Sequence, residues 1–271
     1  MGPAEALAIF GVGVAAGAVN AVVGSGSLIT FPTLLAFGFP PVVANVSNNI
    51  GLVPGNVSGA VGYRRELSGQ RSRLIRLGVL AAAGSVAGAA ALLSLPSSSF
   101  KLIVPALILI ACVLVLIQPW LSGRVIARRK RLAEQNAADG TGTPDGTGTP
   151  AGRERTGVVL GGGVIASAAY GGYFGAAQGV LVIGLLGTFL DESMQRVNGA
   201  KNVLVAVVNG VAAIIYIIFA HVAWLVVLLI AVGSTIGGLV GARFGRRLPP
   251  VVLRIFIVVI GVISAVKLIF F

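Results

Sequence analysis

Asn45, Asn49 and Asn56 stand four and seven residues apart, and the same intervals recur at Asn198, Asn202 and Asn209. Those steps return to one face of a helix, so each trio predicts a stripe of carboxamides. A carboxamide brings two N–H donors and one acceptor, and in apolar surroundings it needs partners. Such a stripe either hydrogen-bonds a neighbouring helix or presents donors to a polar ligand. Lys201 lies between Asn198 and Asn202 and is the one basic side chain set well inside an apolar segment. An ammonium there either serves a function or snorkels to the interface. Asn45, Asn49, Asn198, Lys201 and Asn202 are therefore candidates for contacting a substrate.

A second set of candidates sits where apolar runs are interrupted, at GSGS (24–27) and AAQG (176–179). Each break precedes a short apolar stretch, 28–37 and 180–190, about half the length of a membrane span. The first turn of a helix has unpaired N–H groups and the positive end of the helix dipole, so a half-helix that starts inside the membrane suits an anion. Glycine lets a ligand approach the backbone. Ser25, Gly26, Ser27, Gln178 and Gly179 join the candidate binding residues on this ground. Small residues also allow close helix packing, which is the structural alternative.

The elements that must position these groups come from a duplication. An ungapped shift of 153 positions lays Gly26 on Gly179, the three asparagines on their counterparts, Tyr63 on Tyr216, Gly84 on Gly237, Gly88 on Gly241, Pro96 on Pro249 and Asn48 on Lys201. Apolar segments long enough to span recur at 7–23, 44–63, 74–95 and 100–120, then at 157–174, 197–220, 224–244 and 251–271. The expected fold is an all-α integral membrane protein of two homologous repeats, each with about four long transmembrane helices plus one short half-helix. The division is 1–121 for the first repeat, 122–156 for a basic flexible linker containing GTGTPDGTGTP, and 157–271 for the second repeat.

The basic residues orient these repeats. Arg64, Arg65, Arg71, Arg73 and Arg76 form one cluster, and Arg124, Arg128, Arg129, Lys130 and Arg131 form another, continued by Arg153 and Arg155. Both are expected on the cytoplasmic side, with the linker. Arg243, Arg246 and Arg247 align with the neutral turn at Pro96, so keeping them inside requires an inverted second copy. Both termini then lie outside. No Lys or Arg precedes Arg64, so the segment from Leu7 is expected to be a retained span rather than a cleaved leader.

Hydrophobic residues make up 56% of the chain and charged residues 10%, with a mean hydropathy of +0.97. That places the chain in a membrane rather than among soluble domains. The formal charge of +12 follows membrane orientation and not nucleic-acid binding, because the basic residues are confined to loops and the linker. Cys112 is the single cysteine and His221 the single histidine, so no cysteine metal cluster or internal disulfide is available. Asp191 and Glu192 follow the second half-helix and read as loop carboxylates. No Walker motif occurs. No cofactor, metal or catalytic residue is expected, and the partners are a small anion and the bilayer, with a homodimer compatible. Ser25 or Ser27 with His221 is the one pairing from which a Ser-His intramembrane protease could be drawn.

The first-copy run AGAVNAVVGSGSLITFPTLLAFGFPPVVANVSNN and its weaker echo GAAQGVLVIGLLGTFLDESMQRVNGAKN resemble the TauE/SafE family of membrane permeases, the sulfite exporter family. The resemblance extends over nearly the whole chain apart from the linker. It implies a multi-pass inner-membrane transporter that exports sulfite, sulfoacetate or related organosulfonates. Another small anion, a metabolite or a metal ion is the alternative cargo.

Overall fold

A computed structural model of the chain describes residues 1–138, 150–190 and 192–244, with 255, 258–263 and 265–266. Asp191, Arg246, Arg247, Pro249, Lys267, the linker core and most of the last expected span lie outside the described residues. Among those described, the regular elements are helices: α1 Pro3–Val22, α2 Ser27–Ala36, α3 Pro41–Gly62, α4 Arg71–Ser94, α5 Ser97–Ala138, α6 Pro150–Tyr173, α7 Gln178–Phe189, α8 Met194–Phe219 and α9 Trp224–Phe244. Proline opens α1 and α3, where its missing N–H costs nothing. Ser193 caps α8, its hydroxyl accepting from the Arg196 N–H.

Among the described residues, five helices are long and apolar enough to cross a membrane: Pro3–Val22, Arg71–Ser94, Leu102–Trp120, Met194–Phe219 and Trp224–Arg243. The segment of α3 has the length, but its asparagines lower its hydropathy. Large apolar side chains such as Leu7, Leu102, Phe219 and Leu228 point outward, as lipid contact requires. The segment read as a flexible linker is helical up to Ala138 and again from Pro150. The reason is local: Ala, Arg, Lys, Leu, Glu and Gln, which dominate 126–138, are strong helix formers.

The packing has a two-fold pattern. Helix α1 packs on α9 and α4 on α6; α3 packs on α9 and α4 on α8; α3 and α8 meet each other. Exchanging the copies leaves these pairings unchanged. Small residues permit the close approach. A Cβ added at Gly17 would lie 2.2 Å from the Ser234 carbonyl oxygen, and one at Gly88 would lie 2.0 Å from that of Ala169.

The register of the duplication is not constant. Helices α3 and α8 begin 153 residues apart, as do α4 and α9, but α2 and α7 begin 151 apart. The left-handed glycines of the two breaks, Gly24 (φ 86°) and Gly175 (φ 78°), share the shorter offset. Helix α7 has 12 residues against 10 in α2, and this absorbs the difference. Gly26 is therefore the counterpart of Ala177 and not of Gly179, which corrects the ungapped alignment.

One ionic cluster bears on the relative orientation of the copies. Arg73 Nη1 lies 2.9 Å from Glu192 Oε1, and Arg196 Nε lies 2.5 Å from Glu192 Oε2. Gln70 Nε2 also donates to the Arg196 carbonyl, at 3.4 Å. The loop before α4 thus shares a membrane face with the start of α8. The repeat counterpart of that loop is the turn at 220–223, at the far end of the 26-residue α8, about 39 Å away along the axis. Equivalent loops occupy opposite ends of the bundle, as inverted copies require.

The same cluster sets a pH response. Burial of Glu192 opposes its charge, but hydrogen bonds from Arg196 and Arg73, with their positive charges, hold the carboxyl below the ordinary carboxylate range. A lowered pKa means that the contribution is complete above the ordinary value and is lost as pH falls through the lowered one. Glu192→Gln is therefore expected to reproduce at neutral pH what wild type shows only in acid below the ordinary carboxylate range. The expected change is faster labelling of a cysteine introduced at Ser68. Equal labelling of both proteins at neutral pH would show that the cluster does not restrain the loop before α4.

Candidate functional site

Helices α1 and α6 each end inside the protein, so the last carbonyl groups of each need donors from elsewhere. Each copy supplies them to the other. Asn45 Nδ2 donates to Tyr173 O at the end of α6 (3.0 Å), and Asn198 Nδ2 donates to Val22 O at the end of α1 (3.3 Å). Tyr173 and Val22 are equivalent in the local register, as are Asn45 and Asn198. The crossed pair is thus a symmetric feature carried by the first asparagine of each stripe.

The end of α1 collects further donors. Lys201, fully buried, directs Nζ to Asn20 O at 2.7 Å and Ala21 O at 3.1 Å. Asn202 Nδ2 donates to Ala21 O at 3.3 Å, and Gln118 Nε2 of α5 donates to Val23 O at 3.4 Å. At the end of α6 the Tyr216 hydroxyl donates to Gly172 O. The symmetry is broken at the lysine, whose counterpart Asn48 instead accepts from the Thr30 hydroxyl within its own copy.

The two breaks meet at the centre. Gly179 N–H donates to Gly24 O at 3.1 Å, so the start of α7 lies against the end of the α1 break. Both sites leave no space for a side chain: a Cβ on either glycine would come within 2.5 Å of the other's Cα. The Lys201 Cδ stands 3.3 Å from the added position at Gly24 and 3.0 Å from that at Gly179. Gly26 N–H, at the start of α2, donates to Asn20 Oδ1 at 3.4 Å, and Asn20 Nδ2 donates to Asn56 Oδ1.

Several buried polar atoms at this crossing have no hydrogen-bond partner: Ser25 Oγ, both amide atoms of Gln178, Asn49 Oδ1, Asn198 Oδ1 and Asn56 Nδ2. Asn49 Nδ2 donates to Asn209 Oδ1 at 3.4 Å. Ser27, also buried, begins α2. Unsatisfied buried groups cost about 1–3 kcal/mol each, so they mark where water or a polar ligand belongs. The structure thus joins the stripes and the breaks at one crossing. It gives the Lys201 ammonium to backbone carbonyls, where the sequence predicted an open anion contact or snorkelling.

Asn20, Thr30 and Gln118 were not among the sequence candidates. Asn20 and Gln118 are single amides in strongly apolar runs, and that was the signal available. His221 is exposed in the turn after α8, about 30 Å along the helix from Lys201. A pairing with Ser25 or Ser27 is thereby ruled out. Among the described residues no three His, Cys, Asp or Glu side chains gather to hold a metal. Two grooves, of about 550 and 460 Å³, lie on the outer side of α8 at Val203 and Val207, away from the crossing.

A family model described as sulfite exporter TauE/SafE matches residues 9–268. The chain is 23% identical over 266 residues to the probable membrane transporter protein YfcA of Escherichia coli K12, covering 97% of this chain and 88% of that protein. It is 22% identical over 264 residues to a probable membrane transporter protein of Haemophilus influenzae, covering 97% and 93%. A third relative, the probable membrane transporter protein ORF9 of a Sinorhizobium species, is 23% identical over 253 residues, covering 93% and 88%. No solved structure matches the chain.

Proposed function

The chain belongs to the TauE/SafE family of membrane transporters, and from that premise we propose that it exports a small sulfur oxyanion, sulfite or an organosulfonate such as sulfoacetate. It does so from the inner membrane, with the linker cytoplasmic, and catalyses no covalent step. The observation that carries this reading is the crossing of the two breaks, where unpartnered Ser25 Oγ and the Gln178 amide lie buried beside the starts of α2 and α7. A sulfonate presents several acceptor oxygens on one centre, which suits clustered N–H and O–H donors. The crossing as described is closed. Rocking of one copy against the other opens it to each side in turn, and the crossed asparagine contacts are what such a motion must loosen.

The test is flux into vesicles containing the purified protein, comparing sulfite, sulfoacetate, a carboxylate and a divalent cation. Sulfur oxyanions are expected to be carried fastest. Faster carriage of the carboxylate would reassign the cargo to another anion, and carriage of the cation alone would reject the donor cradle. Asn49→Leu and Asn202→Leu are each expected to lower sulfonate flux about tenfold, the worth of one lost hydrogen bond of roughly 1.4 kcal/mol. Unchanged flux in both would remove the asparagine faces from the site.

A further inference from the structure

Where transporters are built from paired broken helices, the unwound carbonyls and the C-terminal ends of the half-helices are the places that coordinate a co-transported sodium ion. A hard cation takes oxygen ligands, and the end of a helix carries negative partial charge. In this chain both carbonyl ends are already filled by side-chain donors. Lys201 Nζ bridges Asn20 O and Ala21 O at 2.7 and 3.1 Å, with Asn202, Asn198 and Gln118 on the adjoining carbonyls. At the other end, Tyr216 and Asn45 hold Gly172 O and Tyr173 O.

The charge inventory around Lys201 leaves its ammonium without a carboxylate partner. Helices α2, α3 and α7 contain no Asp, Glu, His, Lys or Arg. The carboxylate of α1 is Glu5, about 22 Å along the axis from Asn20. On α8 the other charged side chain is Arg196, which is paired with Glu192. Cys112 is the titratable side chain within the apolar span of α5. A buried charge that lacks a counter-charge is costly, and the Nζ partners here are backbone carbonyl oxygens, the ligand type that a hard cation takes. The counterpart position holds neutral Asn48, so the crossing carries one amine rather than two.

We propose that Lys201 is a tethered counter-cation standing where a co-transported sodium ion would be held, so that this chain moves its anion without sodium. The proposal rests on the transport reading above. When an anion enters the crossing, the ammonium, whose stem passes Gly24 and Gly179, neutralises it, and the cation does not leave with the cargo.

Sulfoacetate flux into vesicles is to be measured with sodium on both sides and with all sodium replaced by choline. Equal flux is expected, and flux that is lost in choline and restored by sodium overturns the proposal. If neither medium supports flux of any anion, the transport reading fails, and sodium binding is then decided by unfolding. In detergent, the wild-type Tm is expected to rise identically, or not at all, with NaCl and with choline chloride. A sodium-specific rise in wild type overturns the proposal. Lys201→Ala, or Lys201→Ser if the first is not recovered folded, vacates the carbonyls and is expected to gain a sodium-specific rise in Tm. Its absence in a folded variant counts against the tethered cation.

Discussion

Gly24→Ala is expected to leave little folded protein. Gly24 has φ 86°, a conformation that costs an L side chain about 1–2 kcal/mol. The added Cβ would also lie 2.5 Å from Gly179 Cα and 2.8 Å from its carbonyl carbon. Those are backbone atoms at the buried crossing, so relief requires moving α7 as a whole, and overpacking of this kind costs about 1–3 kcal/mol more. The sum, about 2–5 kcal/mol, is a large part of the margin by which proteins are stable. Gly38 separates the two terms: its φ is 83°, yet an added Cβ there meets nothing within 4 Å. Gly38→Ala should therefore show the strain alone. Thermal unfolding of both variants in detergent measures the difference, and equal losses would mean that the contact between the breaks is not tight.

Lys201→Met is expected to lower sulfonate flux tenfold or more and to lower stability as well. Methionine keeps much of the apolar stem but takes the donor from Asn20 O, while Ala21 O retains Asn202. A hydrogen bond from a charged group is worth about 1.5–3 kcal/mol, and an orphaned buried carbonyl costs a similar amount. On the transport side, loss of the one charge beside the crossing weakens attraction for an anion by about a decade for each 1.4 kcal/mol. Flux through the folded variant, normalised to the protein recovered, separates the two effects. Wild-type flux per folded molecule would take Lys201 out of the site.

The stripes and the breaks were legible because each has a period or a discontinuity that survives without coordinates. Asn45 and Asn198 repeat at matching intervals, and the glycine-containing runs interrupt apolar sequence. Comparing the copies finds only what recurs. Asn20 was hidden because its local counterpart is Gly171, against which the Gln178 amide lies. The two-residue change of register was also hidden, since it falls near α7, an almost uniformly apolar helix without landmarks. For Lys201 the sequence shows a charge in a span but not its acceptors. Those carbonyls are free because α1 stops just before Gly24, and their closeness to α8 is a long-range fact. The asparagines that made α3 a candidate in the sequence also keep it from being apolar enough to count among the spanning helices.

The crossed asparagines have a consequence for biosynthesis. Val22, at the end of α1, is closed by Asn198, which is made 176 residues later. At about 5–20 residues per second, the interval is roughly 10 to 35 s. During that time the nascent first half holds open carbonyl groups within the membrane, where lipid provides no donor. The insertion machinery must shelter that end, or water must remain with it, until the second half arrives. A chain stopped before Asn198 therefore lacks the donor that closes α1, which makes truncated translation products natural substrates for membrane quality control.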